Sequence, residues 1–185
     1  MRKYSPTPLR KGVAMKTKNL FATVKTIYEK DPPKIKSSSD AIKFLLQKIR
    51  HLASEKLFVM TLNEQLDVLS LDESTSGTAK VCLVDYAMIL KPAILTGATR
   101  IIVLHNHPTN SPDVSKEDVI QLRAIAITTS LFDIQLDDFI ILTREQYHSL
   151  AKDEVFKDAI RDAKSFIKSR VENRDRLKKL DNIKS

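Results

Sequence analysis

The residues most able to do chemistry are His105-Asn106-His107-Pro108, followed after a short loop by Ser115 and Asp118. Side chains two apart on a strand point to the same side. The two imidazoles can therefore aim at one point as the chain leaves the apolar run 101–104. Pro108 lacks the N–H a strand ladder needs and turns the chain outward. Asp118 then falls in the first turn of a predicted helix. Two neutral imidazoles and a carboxylate are ligands that Zn²⁺ accepts, and a fourth position left to water marks a catalytic zinc. Each fragment also has a simpler reading. A His-x-His pair arises by chance, and Ser115 with an acid three residues later fits a helix N-cap. His51 and His148 read as surface or packing residues, and Cys82 as a small buried hydrophobe with no histidine at a usable spacing.

Such groups need a frame. Residues 20–28 are rich in β-formers and predict a strand, which Asp31-Pro32-Pro33 ends. Ile42, Leu45, Leu46 and Ile49 form the stripe of an amphipathic helix that starts within 37–40 and ends near 54. Runs 56–62 and 65–71, joined by Asn63-Glu64, predict a hairpin. A strand over 78–84 follows, then a helix over 86–95 that tolerates Pro92 and stops at Gly97. Residues 100–104 are apolar without interruption, as in a strand buried on both faces. Helical spacing returns over 116–131, a strand over 134–142, and a long helix from about 146 to 180, striped by Val155, Phe156, Ala159, Ile160, Ala163, Ile167 and Val171. This order predicts an α/β fold, a mixed β-sheet sandwiched by helices, with a long C-terminal helix.

Composition sets the outer limits. A chain of 185 residues accommodates one well-buried domain with appendages. We divide it into a basic arm over 1–36, a core over 37–153 and a charged helical extension over 154–185. The net charge of +8 sits at the ends: residues 1–36 hold 10 Lys and Arg against 2 Asp and Glu, whereas 37–144 hold 10 against 13. Basic termini fit nucleic acid or another anionic partner, but fit solubilising ends better, since no aromatics are interleaved with the charges. No run approaches the ~20 apolar residues of a membrane span, and the N-terminus lacks the apolar core of a secretory signal. A lone cysteine makes a reducing cytoplasm the expected location.

His-x-His-Pro, then Ser115 and Asp118 at this spacing after a buried strand, resembles the signature of JAMM (MPN+ or JAB) metallopeptidase domains, and within them the RadC-like family. The likeness runs from about Ser37 to Asp153. It takes in the segment from Glu55 to Asn63, the turn Ser76-Gly77-Thr78, the helix before Arg100, Leu136-Asp137 with the following strand, and Tyr147 to Ala151. The resemblance implies a JAB/MPN, cytidine-deaminase-like architecture and one Zn²⁺ per chain on His105, His107 and Asp118. It also implies Glu55 as the general acid–base acting on the attacking water, with Glu64 in the predicted turn as the alternative. Ser115 matches the serine that stabilises the oxyanion, and a peptide or isopeptide bond is the implied substrate. Longer members carry a helix-hairpin-helix segment for which the first 36 residues are too few and too polar. Two departures stand out. Thr109-Asn110 replaces a common Ser-Gly, which alters loop freedom, and Asp138 replaces a common histidine, which bears on the groups behind the metal ligands.

Three functions compete on this reading. The first is a zinc-dependent hydrolase. The second is a nucleic-acid-associated protein, since the RadC-like family is linked to DNA repair and the ends here are basic. The third is a non-catalytic scaffold, for which the C-terminal stripe offers a docking or homodimer surface.

Overall fold

The computed structural model describes residues 39–40, 43, 52–76 and 86–181. The expectations for the arm and strand within 1–36, for most of the first helix with His51, for the 78–84 strand with Cys82, and for residues 182–185 lie outside them. Residues 39, 40 and 43 are helical.

The described strands are β1 (Lys56–Leu62), β2 (Val68–Ser76), β3 (Arg100–Asn106), β4 (Gln135–Leu142) and β5 (Tyr147–Ser149). They form one mixed sheet in the order β2-β1-β3-β4-β5. The central strand, β3, runs antiparallel to β1 and parallel to β4. A parallel pair needs a crossover, and here α2 (Lys116–Ser130) supplies it. The other helices are α1 (Tyr86–Thr96) and α3 (Glu154–Asp181).

Alternation along the strands sorts the core. Leu57, Val59, Ile101, Val103, Phe139 and Ile141 pack with Ile89 and Ala93 of α1, Leu122 and Ile125 of α2, and Phe156 and Ala159 of α3. Met60, Leu62, Ile102, Leu104, Ile140 and Leu142, which point the other way, are equally buried. The uninterrupted apolar run of β3 is therefore that of a strand covered on both faces. His105 pairs with Leu57 in the ladder and so shares the face on which the helices pack.

The expected two-residue turn after β1 is instead a five-residue loop, 63–67. Asn63 Oδ1 accepts from the Asp67 N–H at 2.9 Å, Asn63 Nδ2 donates to Asp67 Oδ2 at 3.0 Å, and Leu66 adopts φ 65. A type I′ two-residue hairpin needs positive φ at both central positions. The Asn63–Asp67 clasp closes the loop with only one. Strand β2 then continues to Ser76, past its expected end. Helix α1 accommodates Pro92 and ends as expected at Gly97, whose φ is 66. The Ala98 N–H reaches Ala93 O and the Gly97 N–H reaches Ile94 O, the paired bonds of a Schellman stop.

Residues 147–149, expected within the last helix, form the short strand β5. Asp138 explains why. Buried at 2 % exposure, its Oδ2 accepts from Ser149 Oγ at 2.6 Å and its Oδ1 from the Ala151 N–H at 2.9 Å. That latch holds the chain beside β4 for three residues before α3 starts. Asp138 pairs with Ile102 and not with the end of β3. It lies three rungs, roughly 10 Å, from His105, on the opposite face of the sheet. The departure from the resembled pattern is thus a brace in the frame and does not touch the candidate ligands.

Helix α3 buries Phe156, Ala159 and Ala163, whereas Val171 is exposed. Its first half packs on the domain and its described later side chains are solvated. Among the described residues no helix is long and apolar enough to cross a membrane.

Replacing Asp138 by Ala removes the acceptor of the Ala151 N–H and the bond from the Ser149 hydroxyl. We expect a loss of about 3 kcal/mol, measured by urea unfolding. A loss under about 0.5 kcal/mol, the range of an ordinary surface change, would show that the latch is idle.

Candidate metal centre

The carboxyl end of β3 is where the sheet meets the N-terminus of α2. A ring nitrogen of His105, a ring nitrogen of His107 and a carboxylate oxygen of Asp118 lie within 4.8 Å of one another. The two rings stand edge to face, 4.8 Å between centroids and 88° between planes. His105 is the penultimate residue of β3. His107 lies one step beyond it, its N–H donating to Leu142 O at 2.8 Å, so β4 still holds the backbone there.

Asp118 is placed by its helix. Ser115 is the N-cap of α2: the Asp118 N–H donates to Ser115 Oγ at 3.0 Å, and the Ser115 N–H donates to Asp118 Oδ2 at 2.8 Å. This reciprocal capping box, the simpler reading of Ser115 and Asp118, is present together with the cluster. The same carboxylate turns its Oδ1 to His105, whose Nδ1–H donates at 2.7 Å, and its Oδ2 lies 3.5 Å from His107 Nε2. One side chain starts the helix and joins the imidazoles.

The electrostatics follow from burial and donors. Burial of Asp118, 1 % exposed, would by itself raise its carboxyl. Hydrogen bonds from His105, His107 and Ser115 outweigh this and hold it well below the usual carboxylate range. His107 is raised, first by its hydrogen bond to Asp118, with burial opposing and the Ser111 carbonyl and the charges of Asp118 and Glu55 adding. The His107 Nδ1–H donates to Ser111 O at 3.1 Å. That fixes the ring and turns Nε2 toward the carboxylate, where either a proton or a cation relieves the clash of lone pairs.

Glu55, just before β1, brings Oε2 to 3.9 Å from His105 Nε2, and its side chain is 40 % exposed. Glu64 falls in the 63–67 loop at the other end of β1, a strand length or roughly 20 Å away. Ser115 Oγ also donates to Asp118 Oδ2, at 2.6 Å. His148 stands apart from the cluster, donating from Nε2 to Asp153 Oδ2 at 2.7 Å.

One contributor, Asn106, escaped the sequence reading, and a second, Asn110, stood there only as a change in loop freedom. Asn106 fastens the segment that carries Glu55. Asn110 adopts φ 52, the left-handed conformation at the position where the resembled family has glycine. Asparagine is among the few other residues that enter this region readily, so the loop keeps its turn and delivers the Ser111 carbonyl to His107. An asparagine at a glycine position was the available signal.

A mixed sheet with two histidines at the carboxyl end of its central strand, and an aspartate opening the next helix, defines a JAB/MPN-type domain. The chain belongs to the RadC-like JAB domain family, which matches residues 35–166. It is 32 % identical over 123 residues to the UPF0758 protein of Staphylococcus haemolyticus, covering 66 % of this chain and 54 % of that one. Identity is 29 % over 123 residues, with the same coverage, to that of Flavobacterium johnsoniae. It is 30 % over 125 residues to that of Thermotoga maritima, covering 68 % and 56 %. The chain therefore spans about half the length of the curated relatives it matches.

Two outcomes are expected. In chelator-treated protein, the depressed Asp118 carboxyl adds stability that is present above its unfolded value and lost as pH falls through the folded one. The raised His107 adds stability that is present below its unfolded value and lost as pH rises through the folded one. Their joint contribution is greatest between roughly pH 4 and 6.5, so Asp118→Asn should lower the urea midpoint most inside that window and flatten its fall on either side. A profile of unchanged shape would contradict the pairing. At the loop, Asn110→Gly should be nearly neutral while Asn110→Val costs about 1–2 kcal/mol, read from thermal melts.

Proposed function

We propose that this chain is a zinc-dependent hydrolase of the JAMM type, cleaving a peptide or isopeptide bond. The observation that carries the proposal is the convergence of His105, His107 and Asp118 on one point at the mouth of the sheet.

The donors fit the ion. Two imidazoles and one carboxylate are an N/O set suited to zinc. One imidazole has its other ring nitrogen tied to a backbone carbonyl, the orienting contact usual behind a metal-bound histidine. The carboxyl is held ionised, as a ligand must be. Zinc in such a site supplies a Lewis acid and brings the pKa of a coordinated water toward ~7.

The chain's own residues do the rest. Glu55, on the open side of His105, accepts the proton of the attacking water and delivers it to the leaving amine, a role that partial exposure permits. Asp118 stays ionised and keeps both imidazoles oriented. The Ser115 hydroxyl gives its proton to Asp118 in this structure. Turning that proton to the carbonyl oxygen of the substrate makes Ser115 the donor that stabilises the oxyanion.

Purified protein should carry about one zinc per chain, the number that one three-ligand site holds, released by chelator and absent from His107→Ala. Glu55→Gln should keep the zinc and lower kcat about 10²–10⁴-fold. Zinc-loaded protein that cuts nothing in a broad panel of peptides and isopeptide-linked substrates would overturn the activity.

A further inference from the structure

We infer that Asn106, between the two histidines, is a positioning residue: its amide clamps the backbone on both sides of Glu55 and holds that carboxylate toward the metal cluster. The inference rests on the zinc reading above and deepens it.

Strand β1 begins at Lys56, and Glu55 precedes it. A residue just outside a ladder has lost the backbone partners that would fix its direction. Here a side chain replaces them. Asn106 Oδ1 accepts from the Lys56 N–H at 2.7 Å, and Asn106 Nδ2 donates to Ser54 O at 3.0 Å. The amide stands in for a peptide group and adds a rung beyond the ladder's end, where Asn106 faces Lys56 in the register. Both neighbours of Glu55 are thereby tied to the residue that separates His105 from His107. Asn106 is itself 5 % exposed, so water competes little for either bond.

The chemistry required is narrow. The clamp needs one acceptor and one donor on the same short side chain. Aspartate of the same shape keeps the acceptor and loses the donor, setting a carboxylate against the Ser54 carbonyl. Alanine provides neither. The Glu55 side chain stays free beyond its fixed backbone, with Oε2 3.9 Å from His105 Nε2. A group that must swing between water and leaving amine needs a fixed base and a mobile tip.

The test uses the full chain loaded with Co²⁺, whose paramagnetism shifts the ¹³C signal of the Glu55 carboxyl according to distance. We expect wild type and Asn106→Asp to bind equal Co²⁺, and the variant to lose most of the Glu55 shift. On any peptide that wild type cleaves, kcat should fall about 10²-fold, the cost of a misplaced catalytic group, with KM unchanged. The double variant with Glu55→Gln should fall no lower than Glu55→Gln alone. A Glu55 shift retained in the variant overturns the inference, as does loss of Co²⁺ from the variant, which would make Asn106 part of the metal cradle. Wild type that takes up no Co²⁺ overturns the zinc reading itself, and this inference with it. Should Asn106→Asp not fold, wild type decides through the Lys56 amide: slow hydrogen exchange supports the clamp, and exchange as fast as at a free strand end refutes it.

Discussion

An ionised carboxylate withdrawn almost wholly from water is the constraint on which this site depends. Uncompensated, a buried charge costs several kcal/mol. Around Asp118 the compensation comes from separate directions: an imidazole from the sheet, a second from the loop beyond it, and the capping serine with its backbone N–H from the start of α2. Each donor is in turn fixed by its own element. His105 lies in the ladder, His107 is held by the Leu142 and Ser111 carbonyls, and Ser115 by the cap geometry. Keeping one charge solvated by protein thus locks together the end of β3, the 107–115 loop and the first turn of α2.

Much of this was legible because it rests on short-range periodicity. The strand period of two puts His105 and His107 on one side, the uninterrupted apolar run marks β3, and Ser115 opens α2. What escaped depends on partners distant in sequence or on local clasps. The 63–67 loop is set by an Asn63–Asp67 contact that no strand pattern encodes. Three residues are too few to show a period, so β5 emerges only through its pairing with β4 and the Asp138 latch. The role of Asn106 requires the β1–β3 register, which the sequence does not reveal. Glu55 was separable from Glu64 only by resemblance, until the direction of β1 put them at opposite ends.

The two departures from the resembled pattern prove different in kind. Asn110 preserves a backbone conformation with a different residue, because the loop needs its left-handed turn more than it needs glycine. Asp138 changes the chemistry of a buried position outright, yet it does so on the far face of the sheet, where the charge is matched by a hydroxyl and a backbone amide. Neither alters the groups that converge at the mouth of β3.

The mixed direction of the sheet also dictates an order of assembly. Loops β1 to β2 and β4 to β5 close over short stretches and His105 meets Asp118 across 13 residues, but Asn106 meets Lys56 across 50. That long closure carries the larger entropy penalty and forms late. A chain in which β1 has not yet paired with β3 leaves His105 outside its ladder and Glu55 away from the cluster. Any bound ion therefore stabilises the native state by mass action and is a witness to completed folding, where in a zinc finger it would be the template.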